Sequence, residues 1–335
     1  MFNNLNILFL FMTITSTIIS ISSSNWLGVW IGLEINMLSF IPLIILPKNI
    51  LSNESAIKYF LVQASSSALF LTSILYNSFN SISLTNMYLN TTMMFLMIIP
   101  LMIKIAAAPF HQWFINIMPG LSWSMCYAVS TWQKITPLFV LNYFFMKNNI
   151  LLILFVTLSS IIGALGGLTQ TFLKKIIAYS SVNHLGWLMA SILISKKMMI
   201  MYLLFYMMTN AFVMFILSLN NITQFIQINT KILFISFTIC MMSLGGLPPF
   251  VGFMPKLILI KMLLQNELLS ISLMLVFTTL VTLFFYLRLT FSIMSLSSTS
   301  QKWMCFKYTN KNILIYSLMI ILSTVGLVTT NLFLF

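Results

Sequence analysis

The sequence predicts an all-α membrane protein that crosses the bilayer many times. Three observations carry this. Of 335 residues, 60% are hydrophobic and 6% are charged, against about 25% charged in soluble domains. The apolar residues fall into about eleven runs of the length a helix needs to span a bilayer. Two of these runs are broken by proline near a lysine, at Lys104–Pro109 and at Leu244–Lys256. A plain hydrophobic anchor has no use for such a combination, because a charge at the bilayer centre costs roughly 2.5–3.5 kcal/mol.

Composition excludes several function classes. The net charge of +13 reflects a scarcity of acids, Glu34, Glu54 and Glu267 being the only ones. The basic residues lie at helix ends or singly inside helices, not clustered on a solvated face, so nucleic acid is not an expected partner. Cys126, Cys240 and Cys305 are widely spaced and make no C-x-x-C pair, so neither a metal cluster nor a disulfide framework is indicated. No dinucleotide or P-loop motif is present. The start, MFNNLNILFLF, has no basic n-region and reads as part of a retained first helix rather than a signal peptide.

In order, the expected spans are about 3–22, 25–45, 55–77, 91–112, 122–145, 150–170, 172–195, 198–220, 231–263, 269–294 and 312–333. The second carries Glu34 about nine residues in, or ~14 Å along the helix axis, near mid-membrane. An ionisable relay group is favoured there over a neutral structural carboxyl. Glu54, after Ser52 and Asn53, reads instead as an acid at the N-terminus of the third helix. Gln63 and Ser65–Ser67 interrupt the third run, either for close packing or to line a polar path. The fourth run holds Lys104 and, seven residues on and on the same nominal helical face, His111. That histidine is either a proton carrier or an interfacial anchor.

Lys134 lies in the fifth run and is followed by Pro137, which is expected to break the helix and to release the Gln133 carbonyl beside Lys134. Gly163 and Gly167 form a G-x-x-x-G packing face in the sixth. Lys174 and Lys175 open the seventh and snorkel to the interface. His184 lies deeper in that helix with Ser180, Ser181 and Asn183 nearby, as a satisfied core histidine or as part of a water-lined relay. In the ninth, LGGLPPFVGFMPK is expected to divide the helix into two halves around an unwound centre, followed by Lys256.

Basic residues set the expected orientation. Lys48, Lys58, Lys174, Lys175, Lys231, Lys302, Lys307 and Lys311 flank the even-numbered loops, against Lys147, Lys196 and Lys197 at odd ones. The N-terminus and the loop 295–311 are therefore expected on the positive, matrix-like side. Pro109-Phe110 and Pro249-Phe250 occupy comparable places in runs four and nine. Helices five apart run in opposite directions, so the chain is expected to hold two inverted five-helix repeats, 3–145 and 150–294, each with a discontinuous helix, plus a C-terminal helix at 312–333.

Five stretches, NWLGVWIGLEINMLSF, MIKIAAAPFHQWF, STWQKITPL, KKIIAYSSVNHLGW and LGGLPPFVGFMPK, together resemble the antiporter-like membrane subunits of mitochondrial NADH:ubiquinone oxidoreductase, respiratory complex I, in the subunit 2 pattern. The resemblance runs in order from about residue 20 to 265. An abundance of Met, Ile, Leu, Phe, Asn and Ser, with Arg288 as the single arginine, also resembles the product of an AT-rich animal mitochondrial genome. The resemblance implies a form lacking the first three helices of bacterial counterparts. It implies a proton relay through Glu34, Lys104, Lys134 and Lys256, all four in agreement with the pattern, with His111 and His184 as lesser candidates.

It further implies a proton-translocating subunit of a redox-driven enzyme in the mitochondrial inner membrane. NADH, FMN, iron–sulfur clusters and ubiquinone would be used elsewhere in the complex, and no cofactor would be bound by this chain. The implied partners are other complex I membrane subunits, among them the antiporter-like subunit 4 and the small subunit 4L, with accessory subunits and phospholipids. A stand-alone sodium/proton antiporter subunit and a non-transporting membrane scaffold remain as alternatives.

Overall fold

The computed structural model describes residues 4–46, 49–82, 87–144, 150–224, 227, 231–299, 316–317, 320–321 and 323–324. Among the described residues the elements are helical, apart from an isolated bridge between Phe172 and Gln224. The α-helices are α1 (Asn4–Ser22), α2 (Trp26–Ile44), α3 (Ile50–Ile82), α4 (Met87–Ile105), α5 (Gln112–Ile117), α6 (Trp123–Ser130) and α7 (Trp132–Phe144), followed by α8 (Ile150–Leu168), α9 (Leu173–Ile194), α10 (Lys196–Leu219), α11 (Lys231–Gly245), α12 (Phe253–Gln265) and α13 (Leu269–Thr299). Seven are long and apolar enough to cross a membrane: α1, α2, α3, α8, α9, α10 and α13. Three of the expected eleven spans are divided by breaks, at α4/α5, α6/α7 and α11/α12. Of the expected last span, 312–333, six residues are described; Lys48, Lys147, Cys305 and the loop lysines Lys302, Lys307 and Lys311 lie outside the described residues.

The chain divides into two compact units, Met1–Asn149 and Ile150–Phe335. In the first, α1 meets α2 through a face of small hydroxyl residues, Thr13, Ser16, Thr17 and Ser20, all buried. Each hydroxyl donates to a carbonyl one turn back, which satisfies it without water. Gly32 of α2 sits where a Cβ would lie 2.7–2.9 Å from Ser20. Small residues let helices approach in lipid, where burial of apolar surface gives no drive for association.

Helix α3 begins at Ile50, earlier than expected, because the Asn49 side chain accepts from the Leu51 N–H at 3.1 Å. Glu54 is therefore in the second turn, not at the end, and makes an exposed i,i+4 ion pair with Lys58, worth about 0.3–0.5 kcal/mol. The hydroxyls of Ser65, Ser66 and Ser67 all donate within their own helix, which favours the packing role. The break near Lys134 is also displaced. Helix α7 continues through Pro137, and the interruption falls at Thr131 (φ −124°, ψ −66°). There the Thr131 hydroxyl, at 2.6 Å, and its N–H, at 3.0 Å, both donate to the Tyr127 carbonyl.

In the second unit, α8 and α9 cross closely. A Cβ on Gly163 would lie 2.5 Å from the backbone nitrogen of Asn183, and one on Gly167 would lie 2.8 Å from the Phe285 ring. The G-x-x-x-G spacing is thus a packing face.

The two broken helices end in the same backbone motif. Ala106 (φ 64°) and Gly246 (φ 76°) are left-handed. The Ala106 and Ala107 N–H groups donate to Ile103 and Met102, and those of Gly246 and Leu247 to Ser243 and Met242. This pairing is the Schellman helix end. Pro109 and Pro249 follow, so neither helix can resume at once.

Replacing Gly163 by alanine should force α8 and α9 apart at a cost of about 1–3 kcal/mol. Thermal unfolding of the purified protein in detergent measures this, and an unchanged midpoint would show that the two backbones do not meet there.

Candidate functional site

In the first unit, Lys104 occupies the last turn of α4 and is 5% exposed. It lines a small cavity together with Asn36, Tyr59, Gln63, Gln133 and Thr136, closed by Leu33, Met37 and Pro137. The space suffices for about one water, and the polar walls offer it partners. Glu34 is half-buried in α2; its charge acts on Lys104, but no ion pair joins the two among the described residues. One Glu34 carboxylate oxygen, Oε2, is buried without a hydrogen-bond partner in the described structure. In the cavity wall, the Gln133 amide donates to Asn36 Oδ1 at 3.0 Å and ties α7 to α2.

Lys134 is 3% exposed, and its Nζ lies 5.0 Å from the centroid of the Phe114 ring. A desolvated cation–π contact of this kind is worth about 2 kcal/mol. His111 lies beyond the end of α4. The break at Ala106 removes the common helical face expected for Lys104 and His111, since residues 106–111 are not helical. The His111 Nδ1–H donates instead to the Pro109 carbonyl at 3.1 Å.

In the second unit, Lys256 lies in the first turn of α12 and is 6% exposed. Its ammonium donates to the Gly245 carbonyl at 2.8 Å and to that of Leu244 at 3.4 Å. It thus caps the end of α11, where the helix dipole favours a cation. Lys256 Nζ also lies 5.8 Å from the Trp187 ring, which stacks on Tyr202 at 6.2 Å. His184 Nδ1 shares a 3.0 Å hydrogen bond with the Tyr202 hydroxyl, and its ring lies 5.0 Å from Tyr206. His184, Tyr202, Tyr206, Thr209 and Ser243 line a second small cavity beside Leu244. Among the described residues no group of three or more His, Cys, Asp or Glu side chains is placed to hold a metal. Cys126 and Cys240 are buried thiols, and neither forms a disulfide among the described residues.

Residues 23–282 match the family described as "NADH:quinone oxidoreductase/Mrp antiporter, TM". The chain belongs to this family. It is a membrane subunit of a complex I-like, antiporter-related assembly. The "NADH-ubiquinone oxidoreductase chain 2" of Anopheles gambiae is 42% identical, over 89% of each chain. That of Locusta migratoria is 37% identical over 98% of this chain and 97% of the relative. A solved chain in "Respiratory complex I from Thermus thermophilus with bound Aureothin" shares the fold, with a TM-score of 0.82, 22% identity, and coverage of 98% of this chain and 79% of that one.

Within this antiporter-like fold, the candidate residues fall into two groups. Glu34, Lys104, Lys134 and His111 belong to the first unit; Lys256 and His184 belong to the second. Sequence reasoning missed Asn36, Tyr59, Gln133, Tyr202 and Tyr206. Gln133 and Asn36 are polar residues in apolar runs, a signal open to detection, but 97 positions separate them. The tyrosines read as ordinary apolar filler until their hydroxyls have neighbours.

The Asn36–Gln133 bond yields a double-mutant prediction. Asn36→Leu alone leaves the Gln133 amide unpaired at a cost of about 1–3 kcal/mol. Adding Gln133→Leu should recover part of that loss. Thermal stability of the assembled complex reads the difference; strictly additive losses would mean that the two side chains do not interact.

Proposed function

We propose that this chain carries protons across the mitochondrial inner membrane, driven by NADH oxidation and ubiquinone reduction on other subunits. The observation that carries the reading is three lysines buried to 5%, 3% and 6% exposure in a membrane-spanning chain. Each is provided for differently: a polar cavity at Lys104, an aromatic face at Lys134, and helix-end carbonyls at Lys256. Lysine, unlike arginine, can give up its proton when buried. Glu34 biases Lys104 by charge, Lys134 holds the proton centrally, and Lys256 passes it toward an exit or a neighbouring subunit. His111 and His184 serve as secondary carriers. Moving one charge against the membrane potential requires about 2.3 kcal/mol per 100 mV, within reach of a change in such local contacts.

The finer architecture is part of the same reading. It comprises about eleven spans, arranged as inverted five-helix repeats at 3–145 and 150–294 and followed by a helix at 312–333. The Schellman ends at Ala106 and Gly246, 140 residues apart (246 − 106), support the repeat. The N-terminus faces the matrix, and the neighbours are the antiporter-like subunit 4 and subunit 4L, with accessory subunits and phospholipids. FMN and iron–sulfur clusters belong to other subunits. The 37% identity over 97% of the Locusta migratoria relative favours a respiratory assembly over a stand-alone sodium/proton antiporter.

Lys104→Arg separates a relay from a scaffold. Arginine keeps the charge near Glu34 but stays protonated. The relay reading expects normal assembly on a native gel and loss of most coupled proton transfer in reconstituted vesicles; pumping at the wild-type ratio in the assembled variant would remove Lys104 from the path. Orientation has its own test. With a membrane-impermeant thiol reagent, Lys58→Cys should react from the matrix side and Lys196→Cys from the opposite side. The reverse pattern would invert the topology.

A further inference from the structure

The two broken helices share a backbone turn, yet their terminal carbonyls find different donors. At the end of α11 the donor is the ammonium of Lys256, 2.8 Å from the Gly245 carbonyl. At the end of α4 the side-chain donor is the indole N–H of Trp113, 3.1 Å from the Ile103 carbonyl, one residue earlier in the turn than the counterpart of Leu244 and already bonded to the Ala106 N–H. Among the described residues Lys104 makes no backbone hydrogen bond there. An indole N–H has no charge to lose. An ammonium bond is charge-assisted and weakens when the proton leaves.

The chain also treats the left-handed residue differently at each break. At α11 it is Gly246, which adopts φ 76° without a Cβ penalty. At α4 it is Ala106, for which the left-handed conformation costs about 1–2 kcal/mol. Ile103 O holds that alanine in place through the Ala106 N–H and also accepts from the indole. Trp113 is itself fixed between Tyr59 and Phe114, with ring centroids 6.1 and 6.0 Å away.

We propose that Trp113 is a positioning residue that closes the end of α4 whatever the charge on Lys104, whereas the end of α11 is closed by the charge on Lys256 itself. Lys104 then gains and loses a proton on a fixed backbone, and proton loss at Lys256 loosens the broken helix next to it. Only this functional consequence rests on the proton-carrying reading; the assignment of the two caps does not. The ionisable groups facing Lys104 are Glu34 on α2 and Tyr59 on α3. Those around Lys256 are His184 on α9, Tyr202 and Tyr206 on α10 and Tyr286 on α13.

Hydrogen–deuterium exchange in the intact assembly tests the caps. Trp113→Phe keeps the ring contacts and removes the N–H; exchange over 105–108 should speed up about tenfold, while Lys104→Met leaves it within about twofold of wild type. Lys256→Met should speed exchange over 245–248 by about tenfold. If that variant fails to assemble, the wild-type enzyme suffices. Corrected for intrinsic exchange, segment 245–248 should open as pH rises and segment 105–108 should not. Wild-type exchange in Trp113→Phe, equal opening in Lys104→Met and Trp113→Phe, or the same pH response in both segments would overturn the assignment. Proton uptake per NADH is the separate functional arm: in Trp113→Phe the freed Ile103 carbonyl favours the charged form of Lys104, so uptake should fall off at higher pH than in wild type. An unchanged profile with the cap shown to be open would count against Lys104 as a proton carrier and leave the cap assignment standing.

Discussion

Every backbone N–H and C=O at membrane depth must find a partner within the protein. This constraint organises the structure. A continuous helix meets it along its length. A broken helix does not, and its loose carbonyls must be met by something else. Here the Schellman turns at Ala106 and Gly246 take some of them, Lys256 takes those of Leu244 and Gly245, and Trp113 gives the Ile103 carbonyl a second donor. The polar groups of greatest functional interest therefore stand where the backbone itself is incomplete.

The same constraint explains why each buried lysine has its own surroundings. Transferring an ammonium group out of water costs several kcal/mol even after relaxation. Lys256 recovers this from two helix-end carbonyls and the face of Trp187. Phe114 offers Lys134 an aromatic face. Lys104 faces a polar cavity and the charge of Glu34 without an ion pair. Under the proton-carrying proposal, a tight pair would hold the proton in place, whereas a separated carboxylate biases it and leaves it able to move.

Packing between helices follows a second rule, that close approach needs small residues. Gly32 against Ser20 and Gly163 against Asn183 bring backbones together where lipid gives no hydrophobic drive. The hydroxyls on these faces bond back into their own helices, as at Ser16, Ser20 and Ser66. They are structural, although in sequence they could equally have lined a polar path.

The sequence by itself determined the membrane class, most helix positions and the two lysine-bearing breaks, and it singled out Glu34, Lys104, Lys134 and Lys256 as candidates. These are legible because hydropathy, proline and an out-of-place charge act locally, within a turn or a span. It did not determine the start of α3, where Asn49 rather than Ser52 or Asn53 serves the helix end. Nor did it place the break at Thr131 instead of Pro137, since the interruption lies in the Thr131 backbone conformation, which residue type alone does not reveal. The common face expected for Lys104 and His111 was lost because a helical register ends where the helix does. Only the tertiary structure decided which donor meets which carbonyl and which polar residues share a cavity. Asn36 and Gln133, or Lys256 and Trp187, lie far apart in the chain, and their pairing depends on how helices cross, which no local pattern encodes.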